Sequence, residues 1–190
     1  LYLRKECIAA FSKMFDAAKK DGISLKVISA TRNFSDQKAI WEAKWNGTKL
    51  VNGKNLSTEI KDPVERAKTI LRYSSMPGTS RHHWGTDMDL NSLEPAYFNS
   101  GEGKKIYDWL KKNAATFGFC QPYSEKNKNR PNGYEEEKWH WSYHPLSAEI
   151  LKQYSEKIKP EDISGFAGSE TAAKLNIIEH YVKGINSECR

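Results

Sequence analysis

The chain of 190 residues has only three cysteines, Cys7, Cys120 and Cys189, and none of them forms a close C-x-x-C pair. The spacing gives no signature of a zinc site built from cysteine. No H-E-x-x-H occurs, which excludes a protease site made of two histidines one turn apart on a helix. Nowhere do roughly 18 apolar residues run together, the length a membrane-spanning helix needs. Lysine and arginine are scattered instead of blocked, and no internal repeat or low-complexity tract is present. The sequence opens on Leu1, with no basic segment leading into an apolar one.

What is present suits one domain with a real core: 38% of the residues are apolar. The formal charge of +6 gives a weak preference for anionic partners. Nucleic acid, an anionic cell-wall polymer and a membrane surface all stay open at this level, beside a plain lysine-rich solvated surface. Cys120 sits in the apolar run Phe117-Gly118-Phe119-Cys120 and reads as a buried thiol. Cys7 and Cys189 lie near opposite ends, and domain termini are often neighbours, so a Cys7–Cys189 disulfide is the pairing the sequence suggests.

Periodicity predicts a helix over Leu3–Lys20, stopped by Asp21-Gly22, and then a short strand at Leu25–Ile28 that leads into Arg32. Ser35 is the expected cap of a helix carrying Ile40, Trp41 and Trp45. An exposed loop is expected over Gly47–Ser57, then a helix opened by Asp62-Pro63 and running to about Tyr73. Ser74–Gly85 reads as an irregular loop feeding a strand at Asp87–Leu90. A helix over Lys104–Ala115, β-like residues at Phe117–Tyr123, a polar loop over Ser124–Gly133 and an aromatic strand at Trp139–Tyr143 follow. Helices at Ser147–Lys157 and Ser169–Lys183 complete the chain. Short strands separated by helices make the expected class α+β, with helices packed on a small, mainly antiparallel sheet.

Two stretches concentrate the chemistry: Ser80-Arg81-His82-His83-Trp84-Gly85-Thr86-Asp87-Met88-Asp89, and Glu137-Lys138-Trp139-His140-Trp141. The first offers imidazole and carboxylate at short spacing. The second offers another imidazole with a glutamate just upstream. A hydrolytic zinc takes three protein ligands of this kind and keeps one position for water. His82, Asp89 and His140 form such a set, with Glu137 free to act on the water as a base. Spacing alone does not choose between Asp87 and Asp89, which share a strand face, or between His82 and His83. If His140 lies on a strand, Glu137 must precede that strand and be turned back toward it.

S-x-H-x-x-G-x-x-x-D followed by E-x-x-H-W resembles the zinc D-alanyl-D-alanine carboxypeptidases of the VanY type (peptidase M15, LAS group), relatives of the VanX dipeptidases and the Hedgehog signalling domain. The resemblance spans roughly Leu25 to Pro145. It implies one zinc ion on His82, Asp89 and His140, with Glu137 as general base. Ser29-Ala30-Thr31-Arg32-Asn33-Phe34-Ser35-Asp36-Gln37 is similar to the family's S-G-Y-R-S-x-x-x-Q, which implies Arg32 at the scissile carbonyl and Gln37 in the pocket. Ser80 and Trp141 are implied as substrate-binding residues. Ala30-Thr31 in place of Gly-Tyr, and Asp87 in place of a small residue, depart from the family pattern.

The implied reaction removes a terminal D-alanine from a peptidoglycan stem peptide by attack of activated water. The implied partner is that stem peptide, with no nucleic acid and no membrane span; the protein is expected to be monomeric and to act in the periplasm or extracellular envelope. Residues 1–160 form the expected zinc peptidase domain, and residues 161–190 a helical extension packed on it. Competing readings are an endopeptidase or L,D-carboxypeptidase of the same fold, or a non-catalytic zinc-binding module. Glu137 favours hydrolysis over the last, since a binding module needs no base.

Overall fold

The structure is a computed structural model that describes residues Leu1–Arg190. Four short strands form its only sheet: β1 (Val27–Ser29), β2 (Asp87–Leu90), β3 (Phe119–Cys120) and β4 (His140–Tyr143). They lie in the order β1-β2-β4-β3, with every neighbouring pair antiparallel. The helices are α1 (Lys5–Lys20), α2 (Phe34–Trp45), α3 (Leu56–Glu59), α4 (Pro63–Ile70), α5 (Gly101–Asn113), α6 (His144–Lys157) and α7 (Thr171–Lys174). The class is α+β, as the alternating periodicities predict.

The two-residue period of the strands divides the chain's chemistry between the two faces of the sheet. Met88 and Trp141 are directly paired and turn to one side, where Phe119, Leu90 and residues of α1 and α5 join them in a buried cluster. Asp89 and His140 are the next pair, and Asp87 and Ser142 the pair beyond them, so these four turn to the opposite side. There a larger apolar cluster is built from α2, α3, α4, α6 and the C-terminal segment. Polar side chains on this face therefore lie at the junction of the sheet and that second cluster.

Local chemistry accounts for the element ends, with some corrections. Asn33, not Ser35, caps α2: its side chain accepts from the Asp36 N–H while the Asp36 carboxylate accepts from the Asn33 N–H. Asp62 caps α4, with Pro63 in the first turn. The expected loop over Gly47–Ser57 ends in the start of α3, capped by Asn55 and anchored by the fully buried Leu56. Of Phe117–Tyr123 only two residues join the sheet, because Ala114–Phe117 completes a 3-10 turn first. The expected helix over Ser169–Lys183 is broken, since Asn176 adopts a left-handed φ of 47° between α7 and a wide turn at Ile178–Val182.

The C-terminal segment is integral to the second cluster, to which it contributes Ile163, Phe166, Leu175, Ile177, Val182 and Ile185. Cys189 is disulfide-bonded to Cys120, and Cys7 is a buried free thiol. The expected Cys7–Cys189 bond and the free Cys120 are both corrected. Strand alternation gives the reason: Cys120 pairs opposite Ser142 and turns toward the face that carries Cys189, whereas Cys7 is packed with α5 on the other face.

Candidate metal centre

His82 lies in a 3-10 turn, Arg81–Trp84, that ends at Gly85 with φ of 71°. A side chain there would be strained, and the glycine lets the chain pass directly into β2. The His82 Nδ1 is 2.8 Å from the Ala30 carbonyl oxygen, which can only accept. The ring proton therefore sits on Nδ1, leaving Nε2 available as a donor of electrons. That Nε2 is 3.3 Å from Asp89 Oδ2. His83 turns away: its Nδ1 meets the Arg32 carbonyl and its Nε2 accepts from the Gly78 N–H.

His140 reaches the same point from β4. Its Nδ1 lies 3.1 Å from Asp89 Oδ1 and 3.5 Å from Glu137 Oε2. On the far side of the ring, Nε2 is 2.9 Å from Asp87 Oδ2. Glu137 precedes β4, and a turn in which the His140 N–H donates to the Glu137 carbonyl brings its side chain back over the site. One donor atom from each of His82, Asp89 and His140 lies within 4.8 Å of the others. All three residues are buried.

Zinc fits this set. Ligands at about 2.0–2.2 Å in a tetrahedron stand roughly 3.3 Å apart, close to the distance from each imidazole to its nearer Asp89 oxygen, and two imidazoles with one carboxylate are a hydrolytic donor set. An oriented carboxylate and a backbone carbonyl hold the two rings from behind, as metal-binding histidines require.

Asp87 is part of a second buried group. Arg81 Nε donates to its Oδ2 at 2.8 Å, Thr86 Oγ1 and Ser142 Oγ donate to its Oδ1, and Arg81 Nη2 donates to Ser142 Oγ. Burial alone would raise its pKa, but Arg81 and His140 outweigh that and hold Asp87 well below the usual carboxylate range. Asp89 is held low in the same way by the two histidines. His140 is pushed up to about 9 against the effect of burial by its hydrogen bonds to Asp87 and Asp89, while burial lowers His82. Burial pushes the Glu137 carboxyl up to about 8, with Asp89 adding to it and His140 opposing.

The site lies in a cleft of about 470 Å³. Arg32 and Gln37 line it: Arg32 donates to Gln37 Oε1 and Ser29 Oγ and lies 3.9 Å from Asp89, while Gln37 donates to the Ser75 carbonyl. Gln37 thus fixes the guanidinium. Ser80 is buried, with no partner for its Oγ, and is not among the residues lining the cleft; Ser74 and Ser75 are. Trp141 does not reach the cleft either. It is one residue from His140 on β4, so it faces the α1–α5 side, and its Nε1 donates to the Lys138 carbonyl.

The tryptophan at the cleft is Trp139, which precedes the strand, and sequence reasoning missed it along with Lys44, Tyr73 and Tyr123. A signal existed for Lys44: Gln37, Ile40 and Lys44 follow the i, i+3, i+7 spacing of one helix face, and all three line the cleft.

The family model for VanY, D-alanyl-D-alanine carboxypeptidase, matches residues 1–146. YodJ of Bacillus subtilis (strain 168) is 34% identical over 172 residues, covering 83% of this chain and 55% of its own length. The D-alanyl-D-alanine carboxypeptidase of Enterococcus faecalis (strain ATCC 700802 / V583) is 30% identical, covering 71% of this chain and 46% of that protein. The chain thus spans about half the length of the curated relatives it matches. Among solved structures, VanYB in complex with D-alanine-D-alanine has a TM-score of 0.58 at 25% identity, over 83% of this chain and 84% of that one. The motifs that meet at one buried point also lie inside the matched span, and the chain belongs to the VanY family of D-alanyl-D-alanine carboxypeptidases.

Proposed function

We propose that this protein is a zinc-dependent carboxypeptidase that removes the terminal D-alanine from peptidoglycan stem peptides. The observation that carries the reading is the meeting of His82, Asp89 and His140 at the base of the cleft, with Glu137 Oε2 3.5 Å from the His140 ring. Zinc bound there would polarise the scissile carbonyl and lower the pKa of water, so that attack proceeds near neutral pH.

The protein's own residues supply the rest. The Ala30 carbonyl holds the His82 ring with Nε2 toward the site, and the Asp87 carboxylate holds the His140 ring with Nδ1 toward it, where zinc would take the place of the Nδ1 proton. The Glu137 carboxylate takes a proton from the attacking water and returns it to the leaving amine. Arg32, held by Gln37 and Ser29, places a permanent positive charge where the carbonyl oxygen gains negative charge. A relative solved with D-alanine-D-alanine supports the substrate class. The Cys120–Cys189 disulfide supports an oxidising location such as the cell envelope.

Mass spectrometry of peptidoglycan fragments before and after incubation tests the reading. Loss of one alanine from pentapeptide stems, abolished by a chelator and restored by zinc, is expected. Cleavage inside the stem or cross-bridge would instead make the protein an endopeptidase, and turnover indifferent to chelation would remove zinc from the account.

A further inference from the structure

We propose that Lys44 is an anion subsite of the cleft that takes a carboxylate of the bound peptide, and so makes the protein prefer acidic peptides over their amides. The inference rests on the peptidase reading above and adds a specificity residue to it. Lys44 projects from the cleft-lining face of α2, one helical stripe with Gln37 and Ile40. It is half-buried, and its Nζ donates to the Ser74 hydroxyl. No carboxylate lies within 4.0 Å of it, in contrast to the surface lysines Lys68, Lys104 and Lys183, which are paired.

A hydroxyl satisfies one of the three ammonium donors and none of its charge. The charged groups that share the cleft with it include two cations, Lys49 and Arg32, and Glu137, which the proposed reaction engages. Burial and these cations lower the Lys44 pKa to about 8, which still leaves it mostly protonated at neutral pH. A positive charge that is partly stripped of water, faces a cavity and has no anion of its own chain is stabilised by an anion from the ligand. In a peptide, that group is either the terminal carboxylate or an acidic side chain. Lys44 and Glu137 line the same cleft, so the recognised carboxylate belongs to the peptide bound beside the metal centre.

Equilibrium binding to the zinc-loaded protein tests this, with Glu137→Ala as the background so that no peptide is consumed. The probes are a pentapeptide bearing a free C-terminus and one acidic side chain, its C-terminal amide, and its side-chain amide. Lys44→Met should weaken binding of the parent peptide roughly ten- to hundred-fold, the usual range for a hydrogen bond to a charged group. It should have no effect on the one amide that lacks the recognised carboxylate, which identifies that carboxylate. Lys44→Arg should retain most of the affinity.

Equal losses for all three peptides, unchanged affinity for all three, or no binding to the Lys44-containing background would each overturn the proposal. Failure of the peptidase reading looks different: protein with Glu137 intact would bind these peptides, with the same dependence on Lys44, and leave them uncut.

Discussion

Asp87 Oδ2 stands 2.9 Å from His140 Nε2, and Asp89 Oδ1 stands 3.1 Å from Nδ1 of the same ring. The imidazole is bracketed by two carboxylates from one strand, because residues two apart on β2 share a face and β4 pairs beside them. One carboxylate lies in the group that could hold a metal ion, and the other fixes the ring. Arg81, Thr86 and Ser142 hold that second carboxylate in place, which explains how a charged residue is accommodated where the family pattern has a small one.

Asp87→Ala removes the support of His140 and leaves the buried Arg81 unpaired. The expected cost is about 3–5 kcal/mol of stability, as for breaking one side of a buried pair. Zinc affinity should also fall on the order of 10- to 100-fold, the usual effect of losing a partner behind a metal-binding histidine. Urea unfolding and chelator competition measure the two effects separately. Zinc affinity equal to the unaltered protein's would refute the positioning role.

Glu137→Gln keeps the size and the position of the side chain but cannot accept a proton. It should bind about one zinc per chain while losing on the order of 10²-fold or more in kcat. Metal analysis beside a peptide-release assay checks both quantities, and near-normal turnover would move the base elsewhere.

The Lys44 subsite carries a pH signature. Its ammonium is present below the lowered pKa of about 8 and is lost above it, so KM for a peptide carrying the recognised carboxylate should rise as pH climbs past that value. Lys44→Arg stays charged and should lack that rise. Burial disfavours the charged form in the folded chain, so this residue's contribution to stability increases from about pH 8 toward 10.4, where the unfolded chain still binds the proton. A KM profile identical in the two proteins would argue against the assignment.

Thiol chemistry distinguishes the disulfide found here from the one that chain ends alone suggest. The unreduced, unfolded chain should show one reactive thiol, at Cys7, and a linked peptide pair containing Cys120 and Cys189. In the folded protein Cys7 should resist alkylation, because burial, helped by Asp87, pushes its thiol up to about 12. Reducing the bond should cost about 4 kcal/mol, the loop-closure entropy expected for two cysteines separated by 69 positions.

Much of the fold was legible because it rests on local pattern. The apolar spacing of α1 and α5, the aspartate cap and proline of α4, and the apolar residues of β2 and β4 each specify an element from its own residues. What was misjudged depended on partners distant in sequence. The C-terminal helix breaks at Asn176 while its apolar residues fill a core shared with α2 and α4, and periodicity carries no record of that constraint.

The sequence alone determined which chemical groups are available and that His82, Asp89, His140 and Glu137 are fit for a hydrolytic metal site, since ligand type and short spacing are local properties. Spacing could not choose between neighbours, and the tertiary structure shows where each one faces: His83 turned to the Arg32 carbonyl, Asp89 beside His82 with Asp87 behind His140, Cys120 as the partner of Cys189, and Trp139 in place of Trp141 at the cleft. Each choice depends on which side of a turn or strand a residue faces once antiparallel pairing sets the register. Pairing joins β2 to a strand about fifty residues away, so no local spacing expresses it.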